Sequence, residues 1–402
     1  MSGGIVVLSA ANRWDGVRMA DQQLAASLSR LVPVLYVDPP ESAATRVRSA
    51  GWGSAVRRGG LVELGPRLWR LTPEGLPGLS RPGIRAINAE WVAQQVRRAT
   101  ARLGAAVVAS LEANVLVPVS GRIGEAITVY WAQDDFVGMA PLVGGSAAAY
   151  ARANERLAAN SDLVIAANPH VAAALTARGA KPLTIPFGCD APHFAAAEER
   201  SPAEDIGGSR PRAVFMGHLG DRIDVALLER LADDGVCLLM VGPRHLRADF
   251  SRFDALLAKP GVQWVGGRDF DLLPDYLAGA DVGLVPYTQS RFNVGSFPLK
   301  TLEYLAAGLP VVSTTLPGVE WIASEDIHFA DDAESFSRSV RAVLAAGRSG
   351  EAARRRRDLA SKHSWDERAR AFAEAIGLVQ HTRTPMQEGP GLGSPFGREK
   401  EP

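Results

Sequence analysis

Arg291-Phe292-Asn293-Val294-Gly295-Ser296-Phe297-Pro298-Leu299-Lys300-Thr301-Leu302-Glu303-Tyr304-Leu305-Ala306-Ala307-Gly308-Leu309-Pro310-Val311-Val312-Ser313 is the stretch that decides the fold. An apolar run over 282–287 precedes it and reads as a buried parallel strand. A loop leads to Pro298, which has no N–H to lose and suits the first turn of a helix. Ser296 is the candidate N-cap, Gly308 stops the helix, and residues 311–314 read as the next strand. This order sets a helix N-terminus just outside the carboxyl end of a strand. Open α/β sheets bind ligands there, and free N–H groups with the helix dipole favour phosphate.

Lys300 stands in the first turn, where a cation gains nothing from the dipole, so it reads as placed for an external anion. Glu303 follows three residues on, on the same face. A cation for a diphosphate and a carboxylate for ribose hydroxyls, one turn apart, would grip a nucleotide diphosphate. An ordinary Lys–Glu pair on a solvated face is the other reading of these two residues alone.

Upstream, residues 212–219 form another strand, running into Gly217-His218-Leu219-Gly220-Asp221-Arg222-Ile223-Asp224. Gly217 permits close approach of backbone to a ligand. Arg222 can fork onto a phosphate, or pair with Asp221 or Asp224. In the first half, residues 5–10, 17–31 and 34–38 read as strand, helix and strand, with Asp15 as a helix cap. No G-x-G-x-x-G lies between them, which argues against a nicotinamide-dinucleotide enzyme. A later strand, 127–132, ends at Gln133-Asp134-Asp135-Phe136. Paired carboxylates there are acid/base candidates, Asp135 before Asp134, with helix capping as the alternative. His170 reads as a first-turn surface residue, and 354–357 as a solvated arginine face.

With 402 residues there is room for two domains, and 44 basic against 44 acidic residues leave no charge excess to attract nucleic acid. Two cysteines, Cys189 and Cys237, make neither a disulfide framework nor a metal site. No apolar run spans a membrane and no signal-like segment opens the chain, so a cytoplasmic location is expected. Residues 46–58 carry four arginines around Trp52, a pattern that an anionic membrane surface would attract, or a solvated loop. The expected division is a domain at 1–194, a linker at 195–210, a second domain at 211–363, a crossover helix at 364–380 and a disordered tail at 381–402.

Residues 298–312 resemble the nucleotide-sugar segment of GT-B glycosyltransferases of the family 4-like kind, which includes bacterial enzymes of cell-wall and capsular polysaccharide assembly. The resemblance implies two doubly wound Rossmann-like α/β domains facing across a cleft. It implies transfer of a sugar from a nucleotide-diphosphate donor to an acceptor hydroxyl on a glycan, a lipid-linked glycan or a small molecule. It puts Lys300 and Arg222 on the diphosphate and Glu303 on the ribose. Ser296, Leu299 and Gly217 then line the donor site, and the loop bearing Gly16 and Arg18 faces the cleft. Where many members carry a further glutamate, this chain has Gly295. No cofactor and no obligatory metal are expected, and the inner face of the plasma membrane is a possible place of action. A nucleotide-sugar epimerase on the same plan and a non-catalytic sugar-binding relative stay open as alternatives.

Overall fold

A computed structural model describes residues 4–42, 60–77, 82–141, 145–244 and 251–379. The cationic segment 46–58 and the tail 381–402 lie outside them.

Two sheets organise the chain. The first has eight strands: β1 Ile5–Ser9, β2 Val34–Val37, β3 Leu61–Gly65, β4 Leu68–Leu71, β5 Val107–Glu112, β6 Thr128–Ala132, β7 Leu163–Ala166 and β8 Leu183–Thr184. Their spatial order is β3-β4-β2-β1-β5-β6-β7-β8, parallel except for the β3–β4 hairpin. The second sheet holds β9 Arg212–Met216, β10 Cys237–Val241, β11 Val262–Gly266, β12 Val282–Val285, β13 Val311–Ser313 and β14 Ile327–Phe329. Its order is β11-β10-β9-β12-β13-β14, with every neighbouring pair parallel. Continuous apolar runs such as Val282–Val285 form these strands because helices cover both faces of the sheet. In both sheets the strand order reverses beside the first strand of the set, β1 next to β5 and β9 next to β12. The cleft site of a doubly wound sheet opens at such a point.

The chain passes from the first sheet to the second through the short helix Ala191–Ala195, capped by Asp190. It returns through the helix Trp365–Ala375, whose cap is Ser364. That last helix packs on Ala20–Leu28 of the first domain. Trp365 and Phe372 are buried, and Phe372 meets Trp131 edge-on at 5.3 Å. At the crossing, Cys189 N–H donates to the His363 carbonyl at 3.0 Å and Trp365 N–H to the Cys189 carbonyl at 3.1 Å.

Local readings shift in four places. The first helix is shorter than 17–31, running Ala20–Leu28 with Met19 at its N-cap. Asp15 does not cap it but pairs with Arg13 and Arg70. Ser296 does not cap the helix Leu299–Ala306; Pro298 occupies that position and no side chain caps the turn. The loop before it contains a further short helix, Arg291–Val294, capped by Ser290. The arginines at 354–357 are more than a solvated face. Arg355 and Arg356 both reach Asp326, and Arg357 reaches Glu198.

Candidate functional site

β9 ends at Met216 and the chain turns at Gly217, with φ of +143°; Gly242, after β10, has φ of +144°. Few side chains tolerate that region. Space forbids one as well. A Cβ on Gly242 would lie 2.0 Å from the Gly217 carbonyl oxygen, and one on Gly217 would lie 2.6 Å from Lys300 Nζ. The two glycines therefore let the ends of β9 and β10 close on each other with the lysine amine laid against the turn.

Lys300 comes from the helix Leu299–Ala306 and is 8% exposed. Its ammonium donates to the Tyr287 hydroxyl at 2.5 Å and lies over the rings of Phe215 and Tyr287 at 4.3 and 4.6 Å. Burial holds its pKa below the ordinary lysine value, although Tyr287 opposes that shift. For Tyr287, burial raises the phenol, and the Lys300 and Arg222 cations more than offset it, so its pKa is lowered.

Arg222 reaches the same ring from the loop after β9, with its guanidinium carbon 4.5 Å from the Tyr287 centroid and 4.7 Å from that of Phe292. Its Nε donates to Asn293 Oδ1 at 2.7 Å and one Nη to Ser296 Oγ at 2.9 Å. Asn293 is fully buried, and its amide nitrogen donates to the Arg222 and Thr288 carbonyls, both at 2.9 Å. Asn293 thus both orients the guanidinium and holds the Arg222 backbone. Asp224, a considered partner, instead caps the helix Val225–Asp233. Among the described residues, both cations donate only to neutral acceptors. Two cations share one phenol ring, no further apart than the sum of their distances to its centre. Two gathered cations, one buried and one half-buried, with no ion pair to either among the described residues, suit an anion.

Glu303 lies one turn beyond Lys300 and is half-buried. Burial pushes its carboxyl up to about 7, Lys300 pulls it back and Asp190 adds to the rise. Asp190 faces Arg18 at 3.9 Å, and Arg18 also covers the Phe270 ring at 4.5 Å, so this arginine spans from the first domain to the second. Gly16 is exposed, and its N–H bonds within its own loop, to the Arg13 carbonyl at 3.1 Å.

On the first domain's side, Asp135 and Asp134 follow β6 and differ sharply. Asp135 Oδ1 accepts from the Val137 and Gly138 N–H groups at 3.1 and 3.0 Å, capping the helix Phe136–Met139, and its Oδ2 pairs with Arg291 at 2.7 Å. Asp134 has no side-chain hydrogen bond among the described residues. Burial pushes its carboxyl up to about 7, Arg222 pulls it down, and Asp21 and Asp135 push it further up. His170 lies in the first turn of the helix Pro169–Thr176, half-buried, against Gly295, where an added Cβ would sit 3.5 Å from its ring and 2.7 Å from Asp135 Cβ. Asn168 caps that helix and donates across the cleft to the Gly295 carbonyl at 2.9 Å.

Tyr287 and Asn293 organise the cationic pair, and sequence reasoning passed over both. Tyr287 reads as the end of an apolar strand and Asn293 as part of the loop that leads to Pro298. Their signal is positional only, since both lie in the connection leaving β12, beside the turn that leaves β9.

Residues 210–346 match the family described as glycosyl transferases group 1. Over 216 residues the chain is 31% identical to TuaH of Bacillus subtilis (strain 168), assigned to teichuronic acid biosynthesis as a glycosyltransferase; the match covers 52% of this chain and 53% of that one. The chain thus spans about half the length of this curated relative. Sucrose-phosphate synthase from Thermosynechococcus elongatus superposes with a TM-score of 0.71 at 16% identity, over 93% of this chain and 98% of the other. Anabaena HepE in complex with UDP-glucose superposes with a TM-score of 0.63 at 15% identity, over 94% and 100%. The chain has the two-domain GT-B fold of these solved structures. In this GT-B chain Arg222, Lys300 and Glu303 all lie within the matched segment, and Asp134 faces them from the other half.

Proposed function

We propose that the protein is a glycosyltransferase that moves a sugar from a nucleotide-diphosphate donor to an acceptor hydroxyl. The observation that carries this reading is the convergence of Arg222 and Lys300 on Tyr287, beside Gly217 and the uncapped start of the helix Leu299–Ala306. The donor diphosphate lies against that pair and the N–H groups at Leu299 and Lys300, with Glu303 taking ribose hydroxyls. Ser296 acts through Arg222, which its hydroxyl orients.

The acceptor O–H gives its proton to the Asp134 carboxylate as the oxygen bonds to the anomeric carbon. The bond from that carbon to the diphosphate breaks, and its electron pair leaves on the diphosphate oxygen. Charge developing there meets two preorganised cations, the arrangement that lowers such barriers most effectively. These side chains supply the positive charge, so turnover needs no divalent ion. Of the two carboxylates Asp134 is the better base, because Asp135 is already committed to a helix cap and to Arg291. The Bacillus relative, named for teichuronic acid biosynthesis, favours polysaccharide assembly as the setting. Among the described residues, no helix is long and apolar enough to cross a membrane.

The test is nucleotide release from a panel of UDP-, ADP- and GDP-sugars with hydroxyl acceptors, in EDTA. Release with formation of a glycoside, lost in Arg222→Ala and Lys300→Ala, is the expected result. Epimerised donor without acceptor, or tight binding without turnover, overturns the reading.

A further inference from the structure

A cavity of about 620 Å³ opens in the first domain behind Asp134. Its floor is the carboxyl end of β6, where Tyr130 and Ala132 face it by strand alternation and Asp134, just past the strand, joins them. Its walls are the helices Ala147–Asn160 and Pro169–Thr176. These run back from the cleft edge, so the groove extends inward from Asp134 and His170 towards Arg178. From His170 to Arg178 that is about 12 Å at the helical rise.

Its lining explains both its existence and its taste. Ala151, Ala158 and Ala174 face it where larger side chains would fill the space, and Val171 and Leu175 supply apolar surface. The polar groups along it are spent on each other. Tyr130 donates to Asn154 at 2.9 Å, Arg178 faces Glu155 at 3.7 Å, and Arg291 takes Asp135 at the cleft edge. Asp134 and His170, both at the cleft end, are the lining side chains of this kind with no hydrogen bond among the described residues. A cavity of this size, with apolar surface along it and its unpaired polar groups at one end, has the form of a small-molecule site. A bare sugar, with hydroxyls all round, would find few free partners here.

Resting on the glycosyl-transfer reading, we infer that this groove takes the apolar part of the acceptor, an alkyl chain or ring that delivers one hydroxyl to Asp134. Continuity carries the assignment. Asp134 is at once part of the groove and under the field of Arg222, which belongs to the donor side. An amphipathic acceptor lying in the groove ends with its hydroxyl between base and donor.

The test uses monomeric octyl glucoside as probe, followed by calorimetry on the full chain, with UDP, ADP and GDP titrated separately. The expected result is saturable octyl glucoside binding, at least tenfold tighter than that of free glucose. Ala174→Phe and Ala158→Phe should each weaken it at least tenfold while nucleotide binding is unchanged. Should either variant fold poorly, Ala174→Cys gives a second measurement: maleimide labelling of the new thiol, which octyl glucoside should slow and glucose should not. Nucleotide binding without any preference for octyl glucoside over glucose overturns the groove assignment and leaves the donor site standing. So does octyl glucoside binding indifferent to the phenylalanine variants. Absence of binding by all three nucleotides sinks the underlying reading, and the acceptor assignment with it.

Discussion

Arg222 and Lys300, on the second domain, are held on every side: one by Asn293, Ser296 and two aromatic rings, the other by Tyr287 and Phe215. Asp134, facing Arg222 from the first domain, makes no side-chain hydrogen bond among the described residues, while its neighbour Asp135 is held twice over. The difference suits the roles proposed for each group. A cation that stabilises developing charge works best if it does not move, because reorganisation during the reaction would cost what the charge gains. A base must exchange a proton, so hydrogen bonds that fix its ionised form would lower its pKa and weaken it. Fully bonded cations opposite an unbonded carboxylate are therefore complementary states of one cleft.

The largest break in that contrast is Lys300→Ala, which should lower kcat/KM about 10³-fold, the order of loss seen when one preorganised charge contact is removed. Lys300→Arg should not restore it, since the bulkier head has no room against Gly217; initial rates of nucleotide release measure both. Next comes Asp134→Asn, expected to reduce kcat about 10²-fold with nucleotide binding unchanged. Asp135→Asn should cost far less, and equal losses in the two variants would erase the distinction. The wild-type rate should rise with pH through about 7, as Asp134 loses its proton.

A smaller effect is expected from Asn293→Ala. It leaves both charges present but frees the guanidinium, so donor KM should rise about tenfold while the pH profile keeps its shape. The smallest effect is thermal. Glu303 is protonated more easily in the folded chain than in the unfolded one, with a folded pKa of about 7. Below the ordinary carboxyl range both states hold the proton and nothing is lost; as pH rises to 7 the unfolded state releases it first and stability falls. Glu303→Gln should therefore melt a few degrees above the wild type at pH 8 and level with it at pH 4, in the absence of nucleotide. A constant offset across that range would mean the carboxyl is not strained by burial.

Much of this was legible because strand–helix–strand periodicity is a local property, and so is the i,i+3 pairing of Lys300 with Glu303. Arg222 was found the same way, from a loop at a strand's carboxyl end. What escaped is relational. Nothing local says that Asn293 reaches back to the Arg222 carbonyl, 71 positions earlier. Nor does it say that Gly295 is small because Asp135 of the other domain occupies the space beside it. The misassigned cap at Ser296 has the same origin. A serine two places before a proline is a fair cap by local rules, but here its hydroxyl serves an arginine from another loop.

The seam where Cys189 and Trp365 exchange backbone hydrogen bonds has a mechanical meaning. The polypeptide passes from one half to the other at two places, and both passages are stitched side by side at that spot. Two adjacent tethers on one flank suppress sliding and leave swinging as the easy mode. For the proposed transfer, entry and exit of substrates would then turn about this axis, and the Asp135–Arg291 contact lies across the gap that such a rotation opens.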